Sequence, residues 1–322
     1  MKFRQADSDI QLVFLDSGIG GIPYLQHFME RNKNPLCRAA HYFSCHGELH
    51  SVFSTTCNAA ESRTRNALRA EGIKPCSLNK NIRVAYIADN KNFPYGSKTK
   101  EELLVILTVL VKKIIQQFNA KIIVLACNTA SVSALNELRN TFFDIEFVGT
   151  VPALRPAITA CKSGTIGLLG TERTVEDAYI QTLAHNTNPL IKLIAVAAPD
   201  IVDFVELQLD GADENTKMQL PQKYIEIFRE KNADGIVLGC THFLFLAQQF
   251  RNTAGSDIKI FDSIEGVCAR VETLIDARLQ YANCIEENAQ TAKNIFAITK
   301  NANINKWQKR AADLDMDFVV IE

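Results

Sequence analysis

Ile122-Ile-Val-Leu-Ala-Cys127-Asn-Thr129 and, 113 residues on from Cys127, Gly235-Ile-Val-Leu-Gly-Cys240-Thr-His242 share one pattern. In each, a run of branched apolar residues stops on Ala or Gly, and a cysteine and hydrogen-bonding residues come next. Such a short apolar run suits a strand buried on both faces, and the residues after each cysteine read as a helix. A strand-to-helix crossing puts the cysteine at the carboxyl end of the strand, where open parallel sheets place their ligands. One such cysteine carries little information. Two in matching contexts predict a duplicated unit with a thiol in each half.

Strands and helices alternate outward from these stretches. Ile10 to Leu15 reads as the first strand and Asp16-Ser-Gly-Ile-Gly-Gly21 as its loop, before a helix from about Pro23. Glycines there permit a tight turn that brings N–H groups to face an anion at the helix N-terminus. The loop is not the dinucleotide fingerprint, because the third glycine of G-x-G-x-x-G would fall on Pro23. Ile82 to Ala88 reads as a strand, and Asp89 to Ser97 as a loop of turn formers. Thr99-Lys-Glu-Glu102 is a capping box opening a helix to Phe118. Strands are expected at 145–149, 165–169, 190–196 and 258–261, a loop at Ala198-Pro-Asp200, and helices over 216–231 and from Asp262-Ser263 to about Tyr281. The tail from Asn294 reads as strand-helix-strand.

This alternation implies an α/β protein of two pseudo-symmetric, doubly wound domains with mainly parallel sheets and a cleft between them. The expected domains are 1–149 with 266–322, and 150–265. The halves overlay: Asp16 precedes Cys127 by 111 residues and Thr171 precedes Cys240 by 69, a difference close to the length of an insertion at 36–80. That insertion holds Cys37, Cys45, Cys57 and Cys76 with His41, His46 and His50, and a helix is expected near 58–68. It contains no Cys-x-x-Cys pair, so it reads as a surface insertion rather than a zinc site.

Of the 322 residues 47% are apolar and 22% charged, the mixture of a soluble globular protein, and the net charge of −1 gives no electrostatic support to a nucleic-acid or anionic-membrane partner. The longest apolar run, Glu102 to Ile115, is broken by Lys112 and Lys113 and is too short to cross a bilayer. Residues 1–9 are polar and lack a signal-peptide core. Nine cysteines without a small-scaffold framework point to reduced thiols in a cytoplasm.

If the two sheets face each other across a cleft, both cysteines point into it from opposite sides. A thiol at a helix N-terminus feels the positive end of the dipole, which favours the reactive thiolate. A thiolate and a thiol on opposite faces of one carbon form a base and acid pair that inverts a stereocentre. The plainer alternative is a pair of buried structural cysteines. The polar flanks Asn128-Thr129 and Thr241-His242 count against it.

The segments Phe14-Leu-Asp-Ser-Gly-Ile-Gly-Gly21, Tyr86-Ile-Ala-Asp89, Phe93-Pro-Tyr-Gly96, Ala126-Cys-Asn-Thr-Ala-Ser131, Val148-Gly-Thr-Val-Pro-Ala153, Leu169-Gly-Thr171, Leu238-Gly-Cys-Thr-His242 and Phe261-Asp-Ser263 fall in order along the chain. As a set they resemble the glutamate racemases of the cofactor-independent aspartate/glutamate racemase family. The Pro-Tyr-Gly loop and the Asp-Ser-Gly start favour glutamate over aspartate. The resemblance implies interconversion of L- and D-glutamate without pyridoxal phosphate or metal, the D-isomer supplying bacterial peptidoglycan. It implies that Cys127 acts on the D-isomer and Cys240 on the L-isomer, assisted by Asp16 and His242 respectively. It places Ser17, Asn128, Thr129 and Thr241 on the substrate's α-carboxylate and ammonium, and Tyr95, Gly96 and Thr171 elsewhere in the pocket.

Two departures stand out. The 36–80 insertion splits the first repeat and leaves a regulatory element or a homodimer contact open. Ala198 stands where relatives commonly carry a small polar residue or a thiol. Two rivals remain open: an aspartate racemase or a decarboxylase of the same superfamily, and a metal or thiol sensor built on Cys45, His46, His50 and Cys57.

Overall fold

The computed structural model describes residues 10–33, 82–281 and 293–321. The N-terminal segment 1–9 and the insertion at 36–80, with its expected helix and its Cys/His group, lie outside the described residues. By backbone contacts the chain forms two compact units. Met1–Tyr24 with Arg83–Glu322 carries both sheets and the site; of Leu25–Ile82, the described residues are 25–33 and Ile82.

The described strands are β1 (Leu12–Asp16), β2 (Val84–Ala88), β3 (Ile122–Leu125), β4 (Glu146–Gly149), β5 (Thr165–Gly170), β6 (Lys192–Ala197), β7 (Gly235–Leu238), β8 (Lys259–Phe261), β9 (Ile295–Ile298) and β10 (Asp317–Val320). They form a six-stranded sheet in the order β10-β9-β2-β1-β3-β4 and a four-stranded one in the order β6-β5-β7-β8. Every described pairing is parallel. Parallel sheets are covered by helices on both faces, which is why β2, β3 and β7 are apolar and buried along their whole length, and β1 is buried throughout and apolar up to Asp16. The quartets β2-β1-β3-β4 and β6-β5-β7-β8 have the same order. The duplication that the two cysteine stretches predict is therefore present in the topology, and the tail adds β9 and β10 to the first sheet.

Register places the chemistry. Asp16 pairs with Ala88, and Leu15 with Leu125, so Asp16, Asp89 and Cys127 leave the first sheet at one edge. Gly170 pairs with Ala197, and Leu169 with Leu238, which brings Thr171, Ala198 and Cys240 to the corresponding edge of the second. The capping box forms as expected: the Thr99 hydroxyl accepts from Glu102 N–H, and the Glu102 carboxylate accepts from Thr99 N–H. The helix Lys100–Phe118 that it opens buries Leu103, Leu107, Leu110, Val111, Ile114 and Phe118, a stripe of period near 3.6 that covers one face of the first sheet.

Two expectations are corrected. The segment after Cys240 is not an α-helix but a 3₁₀ turn, Thr241–Leu246, and the α-helix Ala247–Ala254 comes only after it; beyond Cys127 the α-helix Asn128–Thr141 starts at once. The halves therefore differ where their thiols sit, because Thr241, His242, Phe243 and Leu244 are all buried and the tighter turn aims them inward together. Secondly, Ala198-Pro-Asp200 is not a loop. It opens the helix Pro199–Leu207, in which Pro199 occupies the first turn and Ile201, Phe204 and Val205 form the buried face. Ala198 itself is fully buried as the N-cap of that helix.

Candidate active site

Cys127 and Cys240 both line one cleft of about 140 Å³. Ser17, Tyr95, Gly96, Asn128, Thr129, Thr171, Thr241 and His242 line it too, so every candidate residue but Asp16 reaches its wall. Asp16 is fully buried behind them. Among its described residues the wall carries no lysine or arginine. Anionic groups would be held there by neutral donors and by the N–H groups that the helix Asn128–Thr141 leaves open at its start.

The Cys127 side is a thiol against a helix start. Burial pushes the Cys127 thiol well above its ordinary range and the Asp16 carboxylate pushes it further, while the N–H groups of Ala130 and Thr129 pull it down. The helix end thus stabilises a thiolate, as expected, but desolvation outweighs it. Asp16 accepts from Gly18 N–H (3.2 Å) and Gly21 N–H (3.1 Å) through Oδ2, and its Oδ1 is buried with no partner among the described residues. Burial raises the Asp16 pKa, against the lowering effect of His242 and of the Gly18 N–H. The N–H groups of the Asp16–Gly21 loop therefore face anions as expected, but the anions are the protein's own carboxylates, for Ile19 N–H donates to Glu206 Oε1 (2.9 Å).

The Cys240 side is a relay. His242 Nδ1 lies 3.9 Å from the Cys240 sulfur, and its Nε2 lies 2.9 Å from Glu206 Oε1. Burial alone would depress the imidazole pKa, but the bonds to Cys240 and Glu206, with the charge of Asp16, hold it well above the usual range. Burial would likewise raise Glu206, yet His242, Ile19 N–H and Lys306 together hold its carboxyl well below the ordinary value. Glu206 thus fixes the imidazole with Nδ1 toward the sulfur. The loop from β1 closes against this group: a Cβ on Gly18 would strike Glu206 Oε1, and one on Gly20 would sit 2.5 Å from Thr241 Oγ1 and 2.6 Å from His242 Nδ1. These glycines serve close approach across the two halves.

Neutral groups complete the wall. Both amide atoms of Asn128 are buried without partners among the described residues, so its hydrogen bonds are left for whatever enters. The Thr129 and Thr171 hydroxyls meet at 3.0 Å, and Thr171 meets Thr174 at 3.0 Å, which links the strand-end loops of the two sheets. The Tyr95 hydroxyl donates to Asp89 Oδ2 (2.7 Å), and Asp89 also accepts from Asn92 and Thr299. Burial and the Asp89 charge push the Tyr95 pKa well up, so it stays a neutral donor that pins the Pro94–Ser97 turn. Sequence reasoning misses Glu206, together with Phe93, Glu172, Pro199, Val202 and Asp203 on the cleft wall. A Pro-Asp start ahead of Ile201, Phe204 and Val205 at helical spacing is the available signal for the helix that carries most of them.

Comparison with known proteins agrees with this arrangement. Residues 80–271 match the model of the Asp/Glu/hydantoin racemase family. This chain belongs to that family. Within it, the chain is 37% identical over 194 residues to a glutamate racemase of Roseiflexus sp. (strain RS-1), covering 60% of this chain and 70% of that protein. It is 30% identical over 226 residues to a glutamate racemase of Clostridium novyi, covering 70% and 85% respectively. In fold this chain matches a glutamate racemase isoform of Bacillus anthracis with a TM-score of 0.70 at 22% identity, over 98% of each chain. It also matches the Escherichia coli glutamate racemase, solved with L-glutamate and the activator UDP-MurNAc-Ala, with a TM-score of 0.69 at 21% identity over 96% and 97% of the two chains. Among the described residues no helix is long and apolar enough to cross a membrane.

Proposed function

We propose that this chain is a glutamate racemase working by two opposed cysteines. The observation that carries the reading is that Cys127 and Cys240, from equivalent strands of two equivalent quartets, wall the same cleft. Its glutamate specificity is supported by relatives of that activity covering most of their own length.

With L-glutamate bound, the Cys240 thiolate, paired with the His242 imidazolium, takes the proton from Cα. The electron pair left behind spreads into the α-carboxylate, where Asn128, Thr129 and Thr241 and the helix N-terminus stabilise it. The Cys127 thiol delivers its proton to the opposite face, giving D-glutamate, a Cys240 thiol and a Cys127 thiolate. The reverse reaction starts from that form, and Asp16, which burial keeps easier to protonate than an exposed aspartate, exchanges protons with Cys127. Ser17, Tyr95, Gly96 and Thr171 hold the rest of the substrate. No metal or other cofactor takes part. In the same reading residues 1–149 with 266–322 form one α/β domain and 150–265 the other, and a cytoplasmic location fits thiols that must stay reduced.

Incubation with L-glutamate or L-aspartate in D2O, with and without EDTA, tests this by optical rotation and Cα deuteration. Glutamate should racemise and exchange regardless of EDTA, and both Cys127→Ala and Cys240→Ala should abolish racemisation. Loss of activity with EDTA, preference for aspartate, or activity surviving either substitution overturns the proposal.

A further inference from the structure

Glu206 is not free to serve His242 on its own. Its Oε1 is taken by Ile19 N–H and His242 Nε2, and its Oε2 faces the Lys306 ammonium at 3.3 Å. The same ammonium donates to the Glu206 backbone carbonyl at 2.7 Å, one residue from the end of the helix Pro199–Leu207. A cation at a helix C-terminus is favourably placed against the dipole and satisfies a carbonyl that the helix leaves open. Lys306 lies on the helix Ile304–Asp313 of the tail, which joins β9 to β10 of the first sheet, whereas Glu206 lies beyond β6 of the second. It is not among the residues that line the cleft, and its ammonium also lies over the Trp307 ring at 5.5 Å.

We propose that Lys306 is a positioning residue for the Cys240 half of the reaction: from the tail helix it fixes both the backbone and the carboxylate of Glu206, and through Glu206 and His242 it sets the reactivity of the Cys240 sulfur. Two effects act in the same sense. Its positive charge favours the carboxylate form of Glu206. Its two hydrogen bonds hold Glu206 where the imidazole needs it, and without them a buried carboxylate oxygen has no donor and turns away. Either loss loosens the imidazole that Glu206 holds against the Cys240 sulfur. The neighbouring Arg310–Asp210 pair (2.7 Å) joins the same helix to the segment after Glu206 but touches no member of the relay, so it provides a built-in control for docking of the tail.

The inference rests on the proposed racemase reading for its kinetic test but not for its chemical one. The chemical readout is the rate of Cys240 alkylation by iodoacetamide near neutral pH in a Cys127→Ala background. Lys306→Met should slow it by about two- to thirtyfold, the range for a residue that acts on a site through others without touching it. Lys306→Arg should recover most of the rate, and Arg310→Met, which costs docking but not the relay, should leave it unchanged. In the otherwise native chain, Lys306→Met should lower kcat for glutamate by a similar factor with KM little changed. A Lys306→Met protein that is folded and alkylated at the unsubstituted rate overturns the proposal, as does an equal slowing by Arg310→Met. Should Lys306→Met not fold, Lys306→Gln is measured in its place against the same two outcomes. If the native chain does not racemise glutamate while the alkylation difference holds, the racemase reading falls and the role of Lys306 stands.

Discussion

Replacing Gly20 with alanine inserts one methyl group between the β1 loop and the Cys240 relay. Gly20 does not have a left-handed backbone, so alanine can adopt its conformation and the substitution isolates the contact. The new Cβ would lie 2.5 Å from Thr241 Oγ1, 2.6 Å from His242 Nδ1 and 2.7 Å from His242 Cε1, against the 3.4–4 Å of ordinary contact. To reach ordinary contact the imidazole must then move by roughly 0.7–0.8 Å and the Thr241 hydroxyl by about 0.9 Å. It is held by Glu206 on one side and by the sulfur on the other, so movement breaks one of the two. Overpacking of this kind costs about 1–3 kcal/mol of stability. A catalytic group displaced by nearly 1 Å loses about tenfold to a hundredfold in rate. Circular dichroism of glutamate turnover, beside urea unfolding, measures both. Gly266→Ala, where an added Cβ meets nothing within 4 Å, is the control and should keep full activity. A Gly20→Ala enzyme whose kcat stays within about threefold of the native value would refute the argument that this glycine is there for close approach.

The site gives two further expected outcomes. Thr171→Val keeps the shape of the side chain but removes the hydroxyl between Thr129 and Thr174 and the cap of the helix Glu172–Glu176. It should lower kcat/KM for glutamate by about tenfold and stability by about 1 kcal/mol; steady-state kinetics with no change in kcat/KM would sink it. Stability should also depend on pH through the Glu206–His242 pair, counted once. Glu206, depressed in the folded protein, stabilises above its unfolded value and loses this as pH falls through the folded one; His242, raised, stabilises below its unfolded value and loses this as pH rises through the folded one. The native advantage over Glu206→Gln, measured by urea unfolding, should therefore be largest between these limits and shrink at acid pH. A constant difference from about pH 3 to pH 7 would contradict the assignment.

The readable part of the fold is that written in short-range pattern. The two apolar runs ending in cysteine are strands because branched residues fill a sheet buried on both faces. Thr99 and Glu102 cap their helix because both partners lie within one turn. The candidate residues that these motifs carry line one cleft, except Asp16, which is buried behind it. The start of the helix Pro199–Leu207 is ambiguous by sequence, since Ala198-Pro-Asp carries turn chemistry and helix-opening chemistry alike. The repeat argues for a helix directly after Cys240, and the buried Thr241–Leu246 turn breaks that symmetry.

The sequence by itself determined the alternation of strands and helices, the duplication, and which side chains would stand at the strand ends, because those depend on periodicity and on residues adjacent along the chain. Only the tertiary structure decided what those side chains are worth. Glu206 is 36 residues from His242, and Lys306 is 100 from Glu206. No local pattern joins them. Their pairing, the raised imidazole and the fully buried Asp16 exist only because packing removes water and leaves each charge the neighbours that the fold supplies.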